Sequence, residues 1–251
     1  MNSPLFTGQN LIVLKETRST NAHALDLLKR ERPTEGTGIF AYHQIEGKGQ
    51  HNTSWESDTG KNILVSIIYY PSFLPAIRHF LLNMSVSLAV KDFFDLHIPE
   101  RVRIKWPNDL YYEERKLGGI LIQNSIVSGR FRSSVIGLGL NINQEQFPLY
   151  LPNPISLSIV TQQQHNLQQL LDQLFGCLEA RYLRLKKMDS DRIKEEYEQF
   201  LYKKDEEVRC IPAYEREQTG KILGVEEDGH LRMQIGDNIR YFGFKEIAFP
   251  L

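Results

Sequence analysis

Two short motifs, separated by a few residues, constrain the fold of this 251-residue chain more than any other feature. The first, Lys105 to Asp109 (Lys-Trp-Pro-Asn-Asp), ends one strand-like run, and the second, Lys116 to Ile122 (Lys-Leu-Gly-Gly-Ile-Leu-Ile), opens another. Proline breaks a strand and Asn-Asp turns the chain, so the two runs should be strands joined by a charged hairpin. The glycines behind Lys116 permit close approach of a ligand or of another backbone. The pattern predicts that Lys116 lies at the mouth of a sheet, where it suits chemistry on an anion, and that Lys105 is structural.

Apolar spacing divides the chain up to residue 203 into strands and helices that do not alternate regularly. Strands are predicted at residues 10–14, 38–42, 62–70, 101–106, 119–124 and 131–140. Helices are predicted after an N-cap at Ser19 or Thr20, from Ile77 to about Phe94, and over 167–182 and 193–201. Because strands outnumber the helices between them, the fold class should be α+β with a mixed or antiparallel sheet. The runs 101–106 and 119–124 are expected to be its central strands.

The character of the chain changes after Lys203, where short apolar runs alternate with turn residues. Strands are predicted at 208–211, 220–225, 231–235 and 240–244, with tight turns at Asp228-Gly229 and at 236–238. This spacing is typical of a small β-barrel. We therefore predict two domains, a catalytic domain at 1–203 and a barrel at 204–251.

Composition excludes several classes of function. Thirty basic and 31 acidic residues give a net charge of −1, so no global charge attracts nucleic acid or an anionic membrane. No run reaches the length of a membrane span and the N-terminus has no leader pattern, so a cytoplasmic protein is expected. Cys177 and Cys210 have no CxxC or histidine partners, and we expect two buried thiols rather than a disulfide or a zinc site.

Three polar stretches are candidates for ligand contact. The loop from Gln44 to Trp55 contains Gly47-Lys48-Gly49-Gln50, whose backbone N–H groups and single cation suit phosphate or carboxylate oxygens. From composition alone a mobile, solvated loop fits equally well. Trp55 could be a core anchor or a platform for a base. The second stretch is the Asn108-Asp109 turn, and the third is Gly137 to Asn143 at a strand end, which is a weak signal alone.

Taken in order, four stretches resemble the biotin–protein ligase family, the biotin–[acetyl-CoA-carboxylase] ligases. They are Ser19 to Asn21, Gln44 to Trp55, Lys105 to Asp109 with Lys116 to Ile122, and Gly137 to Asn143. The resemblance covers roughly residues 10–145, and the tail fits the small SH3-like barrel of the family. It implies a biotin/lipoyl ligase catalytic domain similar to class II aminoacyl-tRNA synthetases. Because fewer than twenty residues precede Ser19, we expect the short form, without an N-terminal DNA-binding domain.

The resemblance also implies an activity. Members of the family use ATP, with Mg²⁺, to convert biotin to biotinyl-5′-AMP and pyrophosphate, and then transfer biotin to one lysine of a biotin carboxyl carrier protein. A carboxylate that attacks the α-phosphate is repelled by the negative charges of the phosphates. A fixed ammonium group together with loop amides would reduce this repulsion. We expect no nucleic-acid or membrane partner, and a monomer or weak homodimer.

Site residues follow from the same resemblance, residue by residue. Lys116 and Lys48 are implied to be catalytic. The implied biotin-binding residues are Ser19, Thr20, Asn21, Gln44, Gly47, Lys48, Gly49, Gln50, Lys116 and Gly119. The implied ATP-binding residues are Lys48, Trp55, Asn108, Lys116 and Asn141. No residue is implied to bind a metal directly.

The loop departs from the family pattern. Gly47-Lys48-Gly49-Gln50, followed by His51-Asn52-Thr53, stands where the family has Gly-Arg-Gly-Arg and a later Gly-Arg. Lysine cannot form the bidentate fork of arginine, so retention of the adenylate is the property most affected. Two alternatives stay open: a lipoate–protein ligase, which uses the same adenylation logic, and a non-catalytic biotin sensor or regulator. The polar residues Ser19 to Asn21 with Gln44 suit a ureido ring better than a dithiolane.

Overall fold

The computed structural model describes residues 4–50, 53–187 and 190–250. Its main sheet contains β1 (Leu11–Leu14), β2 (Gly38–Ala41), β3 (Ile63–Tyr69), β4 (Val102–Lys105), β5 (Asp109–Tyr112), β6 (Arg115–Val127) and β7 (Arg130–Leu140). The strand order is β1-β2-β3-β7-β6-β5-β4. Strands β1 and β2 run parallel and all other neighbours are antiparallel. The predicted α+β class with a mixed sheet is confirmed.

The order of the strands corrects one expectation. Strand β4, expected at the centre, lies at an edge of the sheet, whereas β6 lies inside it. Between them is β5, which the sequence showed only as part of a charged hairpin. The charged residues Glu113 to Arg115 follow this strand directly, so the sequence shows no clear apolar run there. Leu110 and Tyr112 within the strand are nevertheless buried. Glu113 turns the chain into β6 with a φ of 52°.

The helices pack on both faces of the sheet. They are α1 (Thr20–Arg30), α2 (His79–Asp95), α3 (Leu157–Thr161), α4 (Leu167–Lys186) and α5 (Ser190–Gln199). Ser19 is the N-cap of α1, as predicted, although its side chain makes no capping hydrogen bond. Ile77 is not on the buried stripe of α2 as expected, because it belongs to a short 3₁₀ turn at Ala76–Arg78 and is 78% exposed.

The alternation of side chains along the strands shows which helices cover each face of the main sheet. Ile39, Ile68 and Val135 form a cluster with Ala24 of α1. Their neighbours in sequence, such as Phe40, Ile67 and Ile136, belong to the large core that contains the buried residues of α2, α4 and α5. Successive residues of a strand point to opposite faces, so α1 covers one face and the other helices cover the second.

A second sheet follows α5. It contains β8 (Glu207–Pro212), β9 (Gln218–Val225), β10 (Leu231–Ile235), β11 (Asn238–Phe242) and β12 (Ile247–Ala248), in the order β11-β10-β9-β8-β12. All its pairs are antiparallel. The four predicted strands are present, and the fifth has only two residues. Gly229 and Gly236 adopt φ values of 95° and 58° at the predicted turns. The domain boundary at 203/204 stays a prediction.

The second sheet packs directly against the motif that ends β4. The indole Nε1 of Trp106 donates a buried hydrogen bond of 2.9 Å to the carbonyl of Gly229. The Trp106 ring also lies 5.5 Å from that of Phe244. Trp106 is therefore an anchor between the two sheets.

Cys177 and Cys210 are both buried and form no disulfide, as expected. Burial raises the pKa of the Cys177 thiol to about 12, which makes it unreactive at neutral pH. In the described ranges, no helix has the length and apolar character needed to cross a membrane.

Candidate active site

A cavity of about 330 Å³ lies where α1, the 44–55 loop, β6 and β7 meet. All but two of the site residues expected from the sequence line it, from Ser19 at one end to Lys116 at the other. The two that do not are Gly47 and Asn141. Parts of the chain that are distant in sequence therefore converge on one site.

Lys116 forms an ion pair in this cavity. Its Nζ lies 2.8 Å from Oδ1 of Asp109, and the two side chains are 29% and 23% exposed. The register of β5 and β6 brings them together, because Asp109 pairs with Gly119 and a bulge follows Leu110. Lys116 Nζ also lies 5.6 Å from the centre of the Trp55 ring. The sequence indicated Lys116 but assigned Asp109 only to a turn.

The opposite end of the cavity is polar. The backbone N–H of Thr20 donates to Oε1 of Gln44 at 2.8 Å, and the Thr20 hydroxyl lies 3.1 Å from the same oxygen. Ser19 is 2% exposed and lines the cavity with a hydroxyl that does not cap α1. Asn21 completes this set. Buried hydroxyl and amide groups can match a ligand that carries both donors and acceptors.

Two glycines of β7 make room for the side chains of this site. A Cβ on Gly137 would lie 2.2 Å from Oδ1 of Asn21, and one on Gly139 would lie 2.4 Å from Cε2 of Trp55. Gly119 pairs with Gly139 across the strands and also lies under the indole. Bare backbone is therefore needed at these positions. The motif Gly137 to Asn143 was a weak signal, and its glycines shape the cavity floor.

Within the 44–55 loop, residues 47–49 pair in antiparallel fashion with residues 53–55. Trp55 N–H donates to Gly47 O at 2.9 Å, and Gly49 N–H donates to Thr53 O at 2.7 Å. A Cβ on Gly47 would lie 2.3 Å from the Trp55 carbonyl, so Gly47 allows the two sides of the hairpin to meet. Lys48 and Gln50 line the cavity. His51 and Asn52, which belong to the departure from the family pattern, lie outside the described residues.

Trp55 faces the cavity rather than the core. Its Nε1 is buried, and among residues 4–50, 53–187 and 190–250 no hydrogen-bond partner reaches it. A buried donor without a partner costs roughly 1–3 kcal/mol, so the position of this indole is maintained at some cost in stability.

The two predicted asparagines are placed differently. Asn108 lines the cavity and donates to the carbonyl of Ile120 at 2.5 Å. Asn141 donates to the carbonyls of Lys116 and Ile155 at 3.3 and 3.1 Å. The side chain of Asn141 therefore supports the backbone of Lys116 from outside the cavity.

Two other lysines differ in their relation to the cavity. Lys245, in the turn between β11 and β12, lines the cavity although no sequence pattern pointed to it. Lys105 does not line it and donates to the hydroxyl of Tyr111 at 3.2 Å, in agreement with its expected structural role. Burial lowers the pKa of Lys105. Of the described residues that line the cavity, Asp109 is the sole acidic one.

The chain is similar to known proteins over the region that builds this cavity. The model of the biotin/lipoate A/B protein ligase family matches residues 13–141. The bifunctional ligase/repressor BirA of Bacillus spizizenii is 28% identical over 236 residues, which cover 93% of this chain and 72% of that protein. The biotin–[acetyl-CoA-carboxylase] ligase of Mycobacterium tuberculosis is 32% identical over 54% of this chain and 50% of its own length.

A solved structure supports the fold. The biotin protein ligase from Aquifex aeolicus, in complex with biotin and ATP, superimposes with a TM-score of 0.81 and 23% identity. The match covers 96% of this chain and 99% of the Aquifex chain. Both sheets described above are included in that coverage. The chain belongs to the biotin/lipoate A/B protein ligase family and has the fold of its biotin protein ligases.

Proposed function

We propose that this protein is a biotin–protein ligase, which activates biotin with ATP to biotinyl-5′-AMP and transfers biotin to a lysine of a biotin carboxyl carrier protein. The observation that carries the proposal is one cavity that joins a polar end at Thr20 and Gln44 to the Lys116–Asp109 pair. The polar end suits a ureido head, and the cationic end suits a carboxylate beside phosphates.

In the first step, a carboxylate oxygen of biotin attacks the α-phosphorus of ATP. The bond from that phosphorus to the bridging oxygen breaks, and pyrophosphate leaves with the electron pair. Lys116 is placed to lie between the two anions and to stabilise the charge that develops on the phosphoryl oxygens. Its ion pair with Asp109 holds the ammonium in one position before the ligands arrive.

In the second step, the neutral amine of the carrier lysine attacks the acyl carbon of the adenylate. The acyl–oxygen bond breaks, AMP leaves with the electron pair, and the new amide nitrogen loses one proton. This step requires retention of the adenylate until the carrier arrives. Lys48 is the loop cation for this role, and Lys245 adds a second positive charge from the other sheet.

Mg²⁺ fits this site as a companion of ATP. In the described part of the chain, no group of three acidic, histidine or cysteine side chains could hold a metal ion. The one acidic residue of the cavity, Asp109, already pairs with Lys116. Phosphate oxygens would therefore be the main ligands of Mg²⁺, which neutralises the leaving pyrophosphate when bound.

We assign the nucleotide end to Trp55 and Asn108, which line the same cavity as Lys116. Trp55 is half-buried and lines the cavity, and an aromatic ring in that position suits stacking with a base. Asn141, expected in the same group, would act through the backbone of Lys116, to which it donates.

The proposal is tested by incubating the protein with biotin, Mg²⁺-ATP and a biotin carboxyl carrier domain, and then measuring the mass of the carrier. We expect an increase of one biotinyl group, and none without ATP. A parallel reaction with lipoate and a lipoyl domain tests the lipoate-ligase alternative. An increase only in the lipoate reaction would overturn the proposal, and biotin binding without pyrophosphate exchange would support a sensor instead.

A further inference from the structure

Two residues outside the cavity contact the side chains of its polar end. Ser66, in the middle of β3, is fully buried, and its Oγ lies 2.6 Å from Oδ1 of Asn21 and 2.7 Å from Oγ1 of Thr20. Gln123, on β6, accepts a hydrogen bond of 2.9 Å from Nδ2 of Asn21. Neither residue belonged to the sequence motifs.

Backbone groups determine the orientation of the side-chain amides of Asn21 and Gln44 in this network. The carbonyl of Leu121 can only accept, and it lies 3.2 Å from the Asn21 amide, so Nδ2 must point there and Oδ1 must point to Ser66. The N–H of Thr20 can only donate, so Oε1 of Gln44 must point to it. Gln123 adds a second acceptor for Asn21 Nδ2 and reinforces the first orientation.

The number of hydrogens in the network is therefore limited. Two hydroxyls, those of Ser66 and Thr20, stand between two fixed acceptors, Asn21 Oδ1 and Gln44 Oε1. This row of atoms has three close oxygen–oxygen contacts but only two hydroxyl hydrogens. One of the three contacts therefore always lacks a hydrogen, and the oxygens of the row keep lone pairs that no hydroxyl hydrogen occupies, which gives this end of the cavity a surplus of acceptors.

We propose that Ser66 and Gln123 are positioning residues that hold the Asn21 amide oxygen and the Thr20 hydroxyl in place, so that this acceptor surplus selects an acid whose head group donates N–H hydrogen bonds. The inference rests on the proposed function and deepens it. A cyclic urea offers two such donors, whereas a dithiolane offers none and would leave the acceptors unpaired.

Ser66→Ala tests the first half of the proposal, and Ser134→Ala is its matched control. Ser134 is also fully buried on a strand of the same sheet, but within the described ranges its Oγ has no hydrogen-bond partner. We expect Ser66→Ala to raise the dissociation constant of biotin about tenfold, measured by calorimetry without ATP. The dissociation constant of ATP and the kcat of pyrophosphate exchange should not change, and Ser134→Ala should bind biotin normally.

Gln123 offers a conservative pair of variants. Gln123→Met removes the acceptor at similar size, and Gln123→Glu keeps it. Because Gln123 is exposed and water can replace part of its contact, we expect Gln123→Met to weaken biotin binding only about threefold and Gln123→Glu to restore it. Biotin methylated on a ureido nitrogen should bind the wild type about tenfold more weakly than biotin, and this ratio should shrink in Ser66→Ala and Gln123→Met.

Equal biotin affinity of Ser66→Ala and Ser134→Ala, with both variants folded by thermal melting, would overturn the inference. So would equal binding of biotin and its N-methylated form by the wild type. If the wild type binds no biotin at all, the proposed function fails as well, and that result is distinguished by the wild-type titration alone.

Discussion

Asp109 Oδ1 lies 2.8 Å from Lys116 Nζ, so the lysine proposed to stabilise phosphoryl transfer is held by a carboxylate on the neighbouring strand. A pre-positioned ammonium loses little conformational freedom when its ligands bind. The carboxylate also opposes the approach of phosphates, so Asp109 should improve the geometry of the reaction at some cost in nucleotide affinity.

Replacement of Lys116 tests its role in catalysis. Because its ammonium is the positive charge proposed between the two anions, we expect Lys116→Ala to abolish ATP–pyrophosphate exchange. The fold should survive, since Lys116 is partly exposed. Circular dichroism and melting temperature control for folding, and near-normal exchange in a folded variant would remove Lys116 from the mechanism.

The variant Asp109→Asn distinguishes the effect of holding Lys116 in position from the effect of the negative charge on Asp109. The amide can still accept a hydrogen bond from Lys116, but the ion pair is lost. We expect kcat of exchange to fall about tenfold, or about 1.4 kcal/mol, because a neutral acceptor holds the ammonium less firmly than a carboxylate does. The KM for ATP should fall, because one negative charge leaves the site. A higher KM for ATP with an unchanged kcat would instead indicate that Asp109 binds the nucleotide or its metal.

The single loop cation predicts weak retention of the adenylate. Lys48 lines the cavity as a point charge, whereas arginine could hold an oxyanion with two parallel hydrogen bonds. We therefore expect Lys48→Arg to slow dissociation of biotinyl-5′-AMP, measured by release of labelled adenylate. An off-rate equal to or faster than that of the wild type contradicts this expectation.

The contact of Trp55 with Gly139 can be tested by adding one methyl group. Gly139→Ala would place a Cβ 2.4 Å from the indole, which must then leave its position on the strand. We expect the KM for ATP to rise about tenfold with a smaller change in the KM for biotin. Gly243→Ala is the control, because its new Cβ would meet only the flexible side chain of Glu246 at 3.3 Å.

An acid-sensitive ion-pair cluster joins α4 to α5. Burial by itself raises the pKa of Glu196. Hydrogen bonds and charges from Arg184 and Arg181 outweigh this effect, so the net result is a pKa lowered to about 2. The Arg184 Nη2 lies 2.8 Å from Glu196 Oε1, and Arg181 also pairs with Asp92. A depressed carboxyl pKa stabilises the folded state above the unfolded value near 4.5, and this stabilisation is lost as the pH falls towards 2.

We therefore expect Glu196→Gln to lower the free energy of unfolding by up to about 3 kcal/mol at pH 7. The difference from wild type should shrink below pH 4.5 and vanish near pH 2, as measured by urea denaturation. Glu195→Gln, one residue earlier on α5 and exposed, is the matched control. A destabilisation that does not change between pH 7 and pH 3 would show that the charge of Glu196 contributes nothing.

Local patterns were sufficient for much of the fold and for most of the candidate site. The motif pair at Lys105 to Asp109 and Lys116 to Ile122 correctly predicted β4 and β6, although not β5 between them, and it singled out Lys116, which lines the cavity. Ser19 was one of the two N-caps predicted for α1, and the apolar spacing of α4 was correctly predicted to form a helix. Such features depend on neighbours within a few residues, so the sequence reveals them directly.

Relationships between distant residues required the tertiary structure. Strand order placed β4 at an edge, and a bulged register brought Asp109 to Lys116. Packing placed Trp55 over Gly139 and Ser66 beside Asn21. The sequence by itself determined most of the strands and the long helices, and it singled out Lys116, which lines the cavity. Only the folded chain decided what surrounds that lysine, because strand pairing and side-chain contacts join residues whose separation along the chain carries no local signal.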